Sequence, residues 1–355
     1  MDETRPIIML LKSAALGELL ARSLFLCAFG RRFPRSDVYA IVDPQTPDEA
    51  SSLLLNPRVD YFVSVDRLTD EFLSKMLWFG NEDDEWTLKK GELARPYLFI
   101  PPNGIGLGFD AWGDLVDRTL FDFPDGIAAS CRRELLTHGL DESRWFITLH
   151  IREDGYREVS DHPRSVKAVA RYRGLIDHVL EIGGQVVRLG DPKSTPMQSR
   201  RGFVDLSVIP HSFLIQAYAC SRSRFFIGGD SGPSVLAVGF NTPAALVNMV
   251  NCANPFSAPK NNIIATKKFR MSDGSVLRDA DAEAVGAMTE DAWYGKLDRL
   301  EELTAGELCD VADLMLERAP ASGWVNRRPV EMRESEAEED ARRHSWRANY
   351  FTGLR

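Results

Sequence analysis

The sequence predicts an α/β protein made of two similar units, each a wound parallel sheet, that face each other across a cleft. Short apolar runs without polar alternation recur along the chain, as is typical of strands covered by helices on both faces. Helical patterns separate these runs, and the connections between them are short. The length of 355 residues also suits about two domains of ordinary size.

The amino-terminal half begins with a β-α-β-α-β order, which predicts a right-handed parallel sheet. Its predicted elements are strand 6–11, helix 18–29, strand 38–42, helix 50–55, strand 61–65 and the apolar segment 97–100. For residues 66–95 we predict a helical insertion. The glycines and prolines of 101–108 predict a loop that lines the cleft. Residues 110–121 predict a weak helix and 125–138 a stronger one, close to a domain boundary.

The carboxyl-terminal half repeats this pattern. Its predicted strands are 146–151, 185–189, 204–206, 224–227, 243–247 and 263–265, and its predicted helices are 166–182, 213–220 and 233–239. Residues 289–316 predict two helices, and 335–347 a charged, solvent-facing one. We expect domains at 1–140 and 141–280, with 281–355 a helical extension able to pack back on the first domain.

Composition narrows the function classes. Hydrophobic residues make up 44% of the chain and the net charge is -9, which argues against broad binding of nucleic acid and allows at most peripheral membrane contact. The amino terminus has no signal-peptide pattern, and no run of about 18 apolar residues occurs. The cysteines are odd in number and lack CxxC spacing, so we expect free thiols in a reducing, cytoplasmic compartment.

The most informative stretch is 225–248, which reads as a strand, a glycine-rich turn, a short helix and a second strand. Glycines in the turn allow a sharp bend and a close approach to a ligand. Pro233 suits the first helical position, and Asp230 or Ser231 can cap the helix. The amides at such a helix start can bind phosphate, so Asp230, Ser231 and Gly232 are candidate ligand contacts. Capping alone is the alternative.

Two other strand ends carry polar residues. His150 and Arg152 follow one strand, and ligands of open parallel sheets bind at the carboxyl ends of strands. Arg152 could pair with a diphosphate through its planar fork, or form an ion pair inside the domain. His150 could contact a ligand or be a packed histidine. A second strand end supplies Arg188, Gly190 and Asp191, where Asp191 either contacts a base or ribose or caps the turn.

Several carboxylates could act as a general base. Glu18 opens a helix after the loop that contains Lys12, Ser13 and Gly17, and the helix dipole alone would also explain a carboxylate there. Rival candidates on the second domain are Glu153, Asp154, Asp161 and His162. Histidine and cysteine pairs with metal-ligand spacing, a nucleophile elbow and a GxxxxGK[ST] loop are all missing from the sequence.

Three blocks, 150–156, 188–192 and 225–243, resemble bacterial glycosyltransferases encoded in surface-polysaccharide gene clusters. The His-x-Arg at 150–152 also resembles fucosyltransferases of the nodulation and protein O-fucosylation type, in which the arginine binds the donor diphosphate. The 12–18 loop and the 230–232 turn resemble lipopolysaccharide heptosyltransferases. In that family an aspartate takes the place of Glu18 as proposed base, and an Asp-Thr-Gly loop holds phosphate.

This resemblance implies a GT-B fold of two Rossmann-like domains, with a nucleotide-sugar donor in the carboxyl-terminal domain and no essential metal or cofactor. The chain departs from both families. Glu153 stands where fucosyltransferases usually have a second arginine. Ser231 replaces the threonine of heptosyltransferases, and Pro233-Ser234-Val235 replaces their Leu-Ser-His. The donor is therefore left open.

The resulting hypothesis is inverting, metal-independent transfer of a sugar from a nucleotide-sugar donor to a hydroxyl acceptor. The donor would be bound by Arg152, together with His150, Arg188, Gly190, Asp191 and the 230–232 turn. Glu18, or else Asp154 or Glu153, would deprotonate the acceptor, with Lys12, Ser13 and Gly17 on the acceptor side. A nucleotide-sugar epimerase and a non-catalytic nucleotide-sugar-binding protein are the alternatives.

Overall fold

The structure is a computed structural model that describes residues 7–11, 15–32, 34–64, 98–100, 119–154, 163–229, 231–250, 262–276, 297–319 and 324–325. The chain divides into two compact units, with the break between Ile127 and Ala128. The domain limits at 140 and 280 stay predictions. The elements predicted at 66–95, 101–108 and 335–347 lie outside the described residues, and of the weak helix predicted at 110–121 only 119–121 are described, which are not helical. Five candidate site residues also lie outside the described residues: Lys12, Ser13, Asp161, His162 and Asp230.

The first unit contains a parallel four-stranded sheet. Its elements are β1 (Ile7–Leu11), α1 (Leu16–Arg32), β2 (Val38–Val42), α2 (Pro47–Leu53), β3 (Tyr61–Ser64) and β4 (Leu98–Ile100), with strand order β3-β2-β1-β4. Every residue of β1 is buried, as expected for a central strand. Thr46 caps α2 by accepting a hydrogen bond from the Glu49 amide. Helix α3 (Asp125–Thr137) spans the break between the units.

The second unit contains a parallel six-stranded sheet. Its elements are β5 (Phe146–His150), α4 (Arg171–Glu181), β6 (Gln185–Leu189), β7 (Phe203–Asp205), α5 (Phe213–Arg222), β8 (Phe226–Gly228), α6 (Gly232–Gly239), β9 (Ala244–Met249) and β10 (Ile263–Thr266). The strand order is β10-β9-β8-β5-β6-β7, the 3-2-1-4-5-6 arrangement of the Rossmann fold. The predicted parallel strands are thus confirmed in both units.

Alternate residues of β5 point to opposite faces of this sheet. Ile147 and Leu149 belong to a hydrophobic core that also contains Leu175 and Val179 of α4. Thr148 points the other way, and its hydroxyl lies 3.2 Å from that of Ser223 at the end of α5. His150 has the same parity as Thr148, so the sequence spacing places it on the α5 side of the sheet.

The prediction of two helices within 289–316 is partly wrong. Residues Leu297–Glu301 form strand β12, which pairs antiparallel with β11 (Lys268–Met271). The i, i+3 spacing of Leu297 and Leu300 favours a helix, and the segment is a strand because it pairs with a distant partner. One helix follows, α7 (Ala305–Arg318), and it begins with a capping box between Thr304 and Glu307. It packs on α4 and β9.

Candidate functional site

The candidate site lies at the carboxyl ends of β5 and β8. The chain runs from β5 outward to β6 and β7, then returns so that β8 pairs with the other side of β5. This reversal is the topological switch point, where ligands of open parallel sheets bind. His150 is directly opposite Gly228 in the register. A Cβ at Gly228 would lie 2.5 Å from the Phe226 ring and 3.1 Å from the His150 carbonyl oxygen, so a larger residue there would force the ring to move.

A hydrogen bond across the switch point joins His150 to Ser231. The Ser231 hydroxyl oxygen lies 2.9 Å from His150 Nδ1 and 3.3 Å from the Gly229 carbonyl oxygen. His150 is 9% exposed. Burial, followed by the charges of Arg152 and Arg188, lowers the pKa of His150 to about 3. The imidazole is therefore neutral at pH 7.

Ser231 precedes α6 without capping it through its side chain. Its carbonyl accepts hydrogen bonds from the Ser234 amide and hydroxyl, at 3.0 Å and 2.6 Å, which starts the helix. Its hydroxyl bonds to His150 instead of to the helix amides. The capping interpretation of this serine is thus not what the contacts show, and the positive end of the α6 dipole is left without a side-chain cap from Ser231.

Arg152 and Asp154 follow β5 at the same edge. The Arg152 side chain is half-buried and Asp154 is exposed. The Arg152 carbonyl accepts a 2.7 Å hydrogen bond from the Val166 amide, which holds this part of the backbone to the segment that leads into α4. Arg152 is two residues beyond His150, so both belong to the extension of one strand.

Arg188 and Glu153 form a buried ion network with Asp205. The Arg188 guanidinium is fully buried and donates to Glu153 at 2.6 Å, to Asp205 at 3.0 Å and to the Thr195 carbonyl at 2.6 Å. Glu153 also accepts from the Thr195 amide and hydroxyl. The Arg188 Nε has no hydrogen-bond partner, a cost that the other contacts offset. The guanidinium that pairs with Glu153 thus comes from β6.

Gly190 and Asp191 are tied into the turn after β6. The Gly190 amide donates to the Gln216 side chain at 2.8 Å, and its carbonyl accepts from that same side chain at 2.9 Å. A Cβ at Gly190 would lie 2.8 Å from that of Ser207. The Asp191 carboxylate accepts from the Lys193 amide at 2.9 Å, the geometry of an Asx turn. These contacts fit the turn-capping interpretation of Asp191.

The structure describes two of the amino-terminal candidates. Gly17 and Glu18 lie in the first turn of α1, directly after the loop that follows β1, and Glu18 is exposed. Its position at the helix start suits a carboxylate stabilised by the dipole, and also a base at a strand end.

Sequence reasoning missed several polar residues that organise the site. The clearest are Gln216, Asp205 and a buried lysine, Lys267, which follows β10. Gln216 and Asp205 were not distinguishable from ordinary surface residues in the sequence. Lys267 comes after an apolar run, which is the one signal that could have drawn attention to it.

Metal sites and membrane spans were searched within the described ranges alone. No group of three or more His, Cys, Asp or Glu side chains there is arranged to hold a metal ion. No helix there is long and apolar enough to cross a membrane.

The sequence matches no protein-family model and no curated protein. Its structure is similar to that of the glycosyl transferase family 9 protein from Veillonella parvula, with a TM-score of 0.54 and 15% identity over 89% of this chain and 99% of that chain. Weaker likenesses are to E. coli ADP-heptose lipopolysaccharide heptosyltransferase II (TM-score 0.49, 10% identity, 88% and 99% covered) and E. coli heptosyltransferase WaaC with ADP (0.41, 12%, 88% and 99%).

The likeness to the Veillonella protein spans nearly the whole of both chains. At 15% identity it shows a shared fold. Together with the strand orders of the two sheets, it confirms the predicted GT-B-like class of two Rossmann-like domains.

Proposed function

We propose that this protein is a glycosyltransferase that moves a sugar from a nucleotide-sugar donor to a hydroxyl acceptor. The main support is the His150–Ser231 contact at the switch point, beside Arg152 and the start of α6. A sheet with this strand order binds nucleotides at that point. The fold shared with a glycosyl transferase family 9 structure supports glycosyl transfer as the class of reaction.

The donor diphosphate would lie between Arg152 and the start of α6. A guanidinium can bind two phosphate oxygens at once, and the amides of residues 231–232 lie at the positive end of the α6 dipole. Both would stabilise the leaving nucleoside diphosphate as its charge grows, which is the main task of the catalyst in this reaction. Since the guanidinium and the backbone amides would supply the positive charge that a metal ion supplies in other enzymes, we expect the transfer to need no metal.

The general base would be a carboxylate, with Glu18 first and Asp154 next. Glu153 is the least suited of the three, because its oxygens accept hydrogen bonds from Arg188 and Thr195. A base on the face opposite the leaving group gives inversion at the anomeric carbon. The acceptor would be a glycan, a lipid-linked sugar or a small molecule, and the site of action the reducing cytoplasm that free cysteines favour.

A thermal-shift screen of UDP-, GDP-, ADP-, CMP- and dTDP-sugars tests the donor class, because a ligand that binds only the folded state raises the Tm. We expect one class to raise it. Arg152→Ala should then weaken binding of that donor by roughly 10- to 100-fold, since hydrogen bonds to charged groups contribute about 1.5–3 kcal/mol. Arg173→Ala, which removes an exposed arginine of α4, is the matched control.

Binding by Arg152→Ala equal to that of the wild type would contradict this donor site. Turnover decides the reaction class. Conversion of the sugar without an acceptor would indicate an epimerase, and binding without release of the nucleoside diphosphate across plausible acceptors would indicate a binding protein.

A further inference from the structure

Lys267 is a buried cation at the same edge of the second sheet. It follows β10 directly, its amide donates to the Met249 carbonyl, and it is 4% exposed. Its ammonium group donates to the carbonyl oxygens of Pro163 and Ser165, at 2.8 Å and 2.6 Å. A lysine buried to this extent is rare unless its charge has partners. Here the hydrogen-bonded partners are backbone carbonyls.

These two carbonyls belong to the segment that holds Arg152. Ser165 is followed by Val166, whose amide donates to the Arg152 carbonyl at 2.7 Å. The next two amides, of residues 167 and 168, donate to the Glu302 carboxylate at 2.6 Å and 3.1 Å. The segment 163–168 is therefore fixed on one side by Lys267 and on the other by Glu302. Its contact with Arg152 lies between these two anchors.

The charges around Lys267 fit a role for its ammonium form. Burial lowers the pKa of Lys267, the negative charges of Glu302 and Asp154 raise it, and the positive charge of Lys167 lowers it. Burial is the largest of these effects. Loss of the charge would weaken both charge-assisted hydrogen bonds to the carbonyls.

We propose that Lys267 is a positioning residue for the donor site. Its ammonium fixes the segment 163–166, and that segment fixes the Arg152 backbone by the Val166 amide. The inference rests on the proposed function, in which Arg152 binds the donor diphosphate. It adds a third strand end, that of β10, to those of β5 and β8 in building the site.

The test compares three variants of the full chain. Lys267→Met removes the charge at similar volume, Lys267→Arg keeps it, and Lys268→Met alters the exposed neighbour that pairs with Glu307. The probe is whichever of UDP, GDP, ADP, CDP and dTDP raises the wild-type Tm most. We expect about a tenfold higher Kd in Lys267→Met, substantial recovery in Lys267→Arg and no change in Lys268→Met. In turnover, KM for the donor should rise more than kcat falls.

The pH dependence provides a second readout that does not need the Met variant to fold. Because burial lowers the pKa of Lys267, wild-type affinity should fall with rising pH before a free lysine would titrate. Lys267→Arg stays charged and should lack this fall. A wild-type Kd in Lys267→Met, or identical pH profiles of wild type and Lys267→Arg, would overturn the proposal.

Arg152→Ala separates the two proposals. If it weakens probe binding while the Lys267 variants and the pH profile show no effect, the donor site stands and the role of Lys267 is refuted. If none of the five nucleotides binds the wild type, both proposals fail.

Discussion

The ends of β5 and β6 lie side by side in one sheet and differ in how their polar groups are used. At the end of β6, Arg188 is surrounded by acceptors from the protein, and Gln216 binds both backbone groups of Gly190. At the end of β5, the described contact of the His150 side chain is one hydrogen bond to Ser231, and the exposed Asp154 follows. The sequence analysis had selected candidate donor-binding residues at both of these strand ends.

We interpret the end of β6 as a structural strand end and the end of β5 as the one that binds a ligand. The buried Arg188 joins Glu153, which follows β5, to Asp205 at the end of β7, and with both carboxylates bound it has little left for a phosphate. A strand end at the switch point adjoins a helix start whose amides are not capped by Ser231. We therefore expect substitutions at the end of β6 to change the free energy of unfolding. Substitutions at the ends of β5 and β8 should change donor binding.

The largest expected effect is that of Arg188→Met. It leaves the carboxylates of Glu153 and Asp205 without their cation, and the side chain of Asp205 is 1% exposed. Removing one partner of a buried pair costs about 3–5 kcal/mol. Urea unfolding should show this loss in the free energy of unfolding, while the folded variant keeps donor affinity within a few-fold.

Arg200→Met is the matched control for Arg188→Met. Arg200 pairs with Asp177 in an ion pair that is about half exposed, and such pairs contribute about 0–1 kcal/mol. Equal losses in the two variants would contradict the distinction between the buried network and the surface pair.

The second prediction concerns two adjacent glycines, Gly228 at the end of β8 and Gly229 directly after it. Gly228→Ala would place a methyl group 2.5 Å from the Phe226 ring of the same strand and 3.1 Å from the His150 carbonyl of β5, so the ring has to move and the contact between the two strands is crowded. Overpacking of this kind costs about 1–3 kcal/mol, and it should also weaken donor binding. In Gly229→Ala the nearest atom, the Val247 carbonyl oxygen, is at an ordinary 3.5 Å.

Thermal unfolding and nucleotide titration of the two glycine variants check this prediction. Gly229→Ala should resemble the wild type in both measurements. If Gly228→Ala did so too, the close approach of the two strand ends would have no role in the site.

Sequence alone predicted the parallel strands well, because a strand buried on both faces shows as an unbroken apolar run. Val38–Val42 and Gln185–Leu189 are strands with the same bounds as predicted. The antiparallel pair β11–β12 was not predicted, since its partners are separated by more than 20 residues and neither has a distinctive pattern. Local spacing carries no information on such a partner.

For the candidate residues, the sequence predicted placement at strand ends better than it predicted their contacts. Strand ends are visible in sequence, so His150, Arg152 and Ser231 could be selected. The partner of Arg188 could not, because Glu153 reaches it across the sheet from β5. The contacts of Lys267 were equally hidden, since its two acceptors are backbone carbonyls about 100 residues earlier in the chain.

The smallest effect at neutral pH is expected for His150→Asn, where one side-chain hydrogen bond to Ser231 is exchanged for another, a change of about 1 kcal/mol. The effect of the histidine on the free energy of unfolding should become visible at acidic pH. With a folded pKa of about 3 and an ordinary value of 6.5, the unfolded wild type binds a proton that the folded state does not. Wild-type stability should therefore decline as pH falls from 6.5 towards 3.

His150→Asn lacks this proton uptake, so its free energy of unfolding relative to the wild type should increase steadily over the same range. Other titrating groups are common to both proteins and cancel in the difference. Parallel pH curves would mean that His150 is as easily protonated in the folded protein as in the unfolded chain. The end of β5 would then be solvated, and burial would not be what keeps the His150 imidazole neutral beside Ser231.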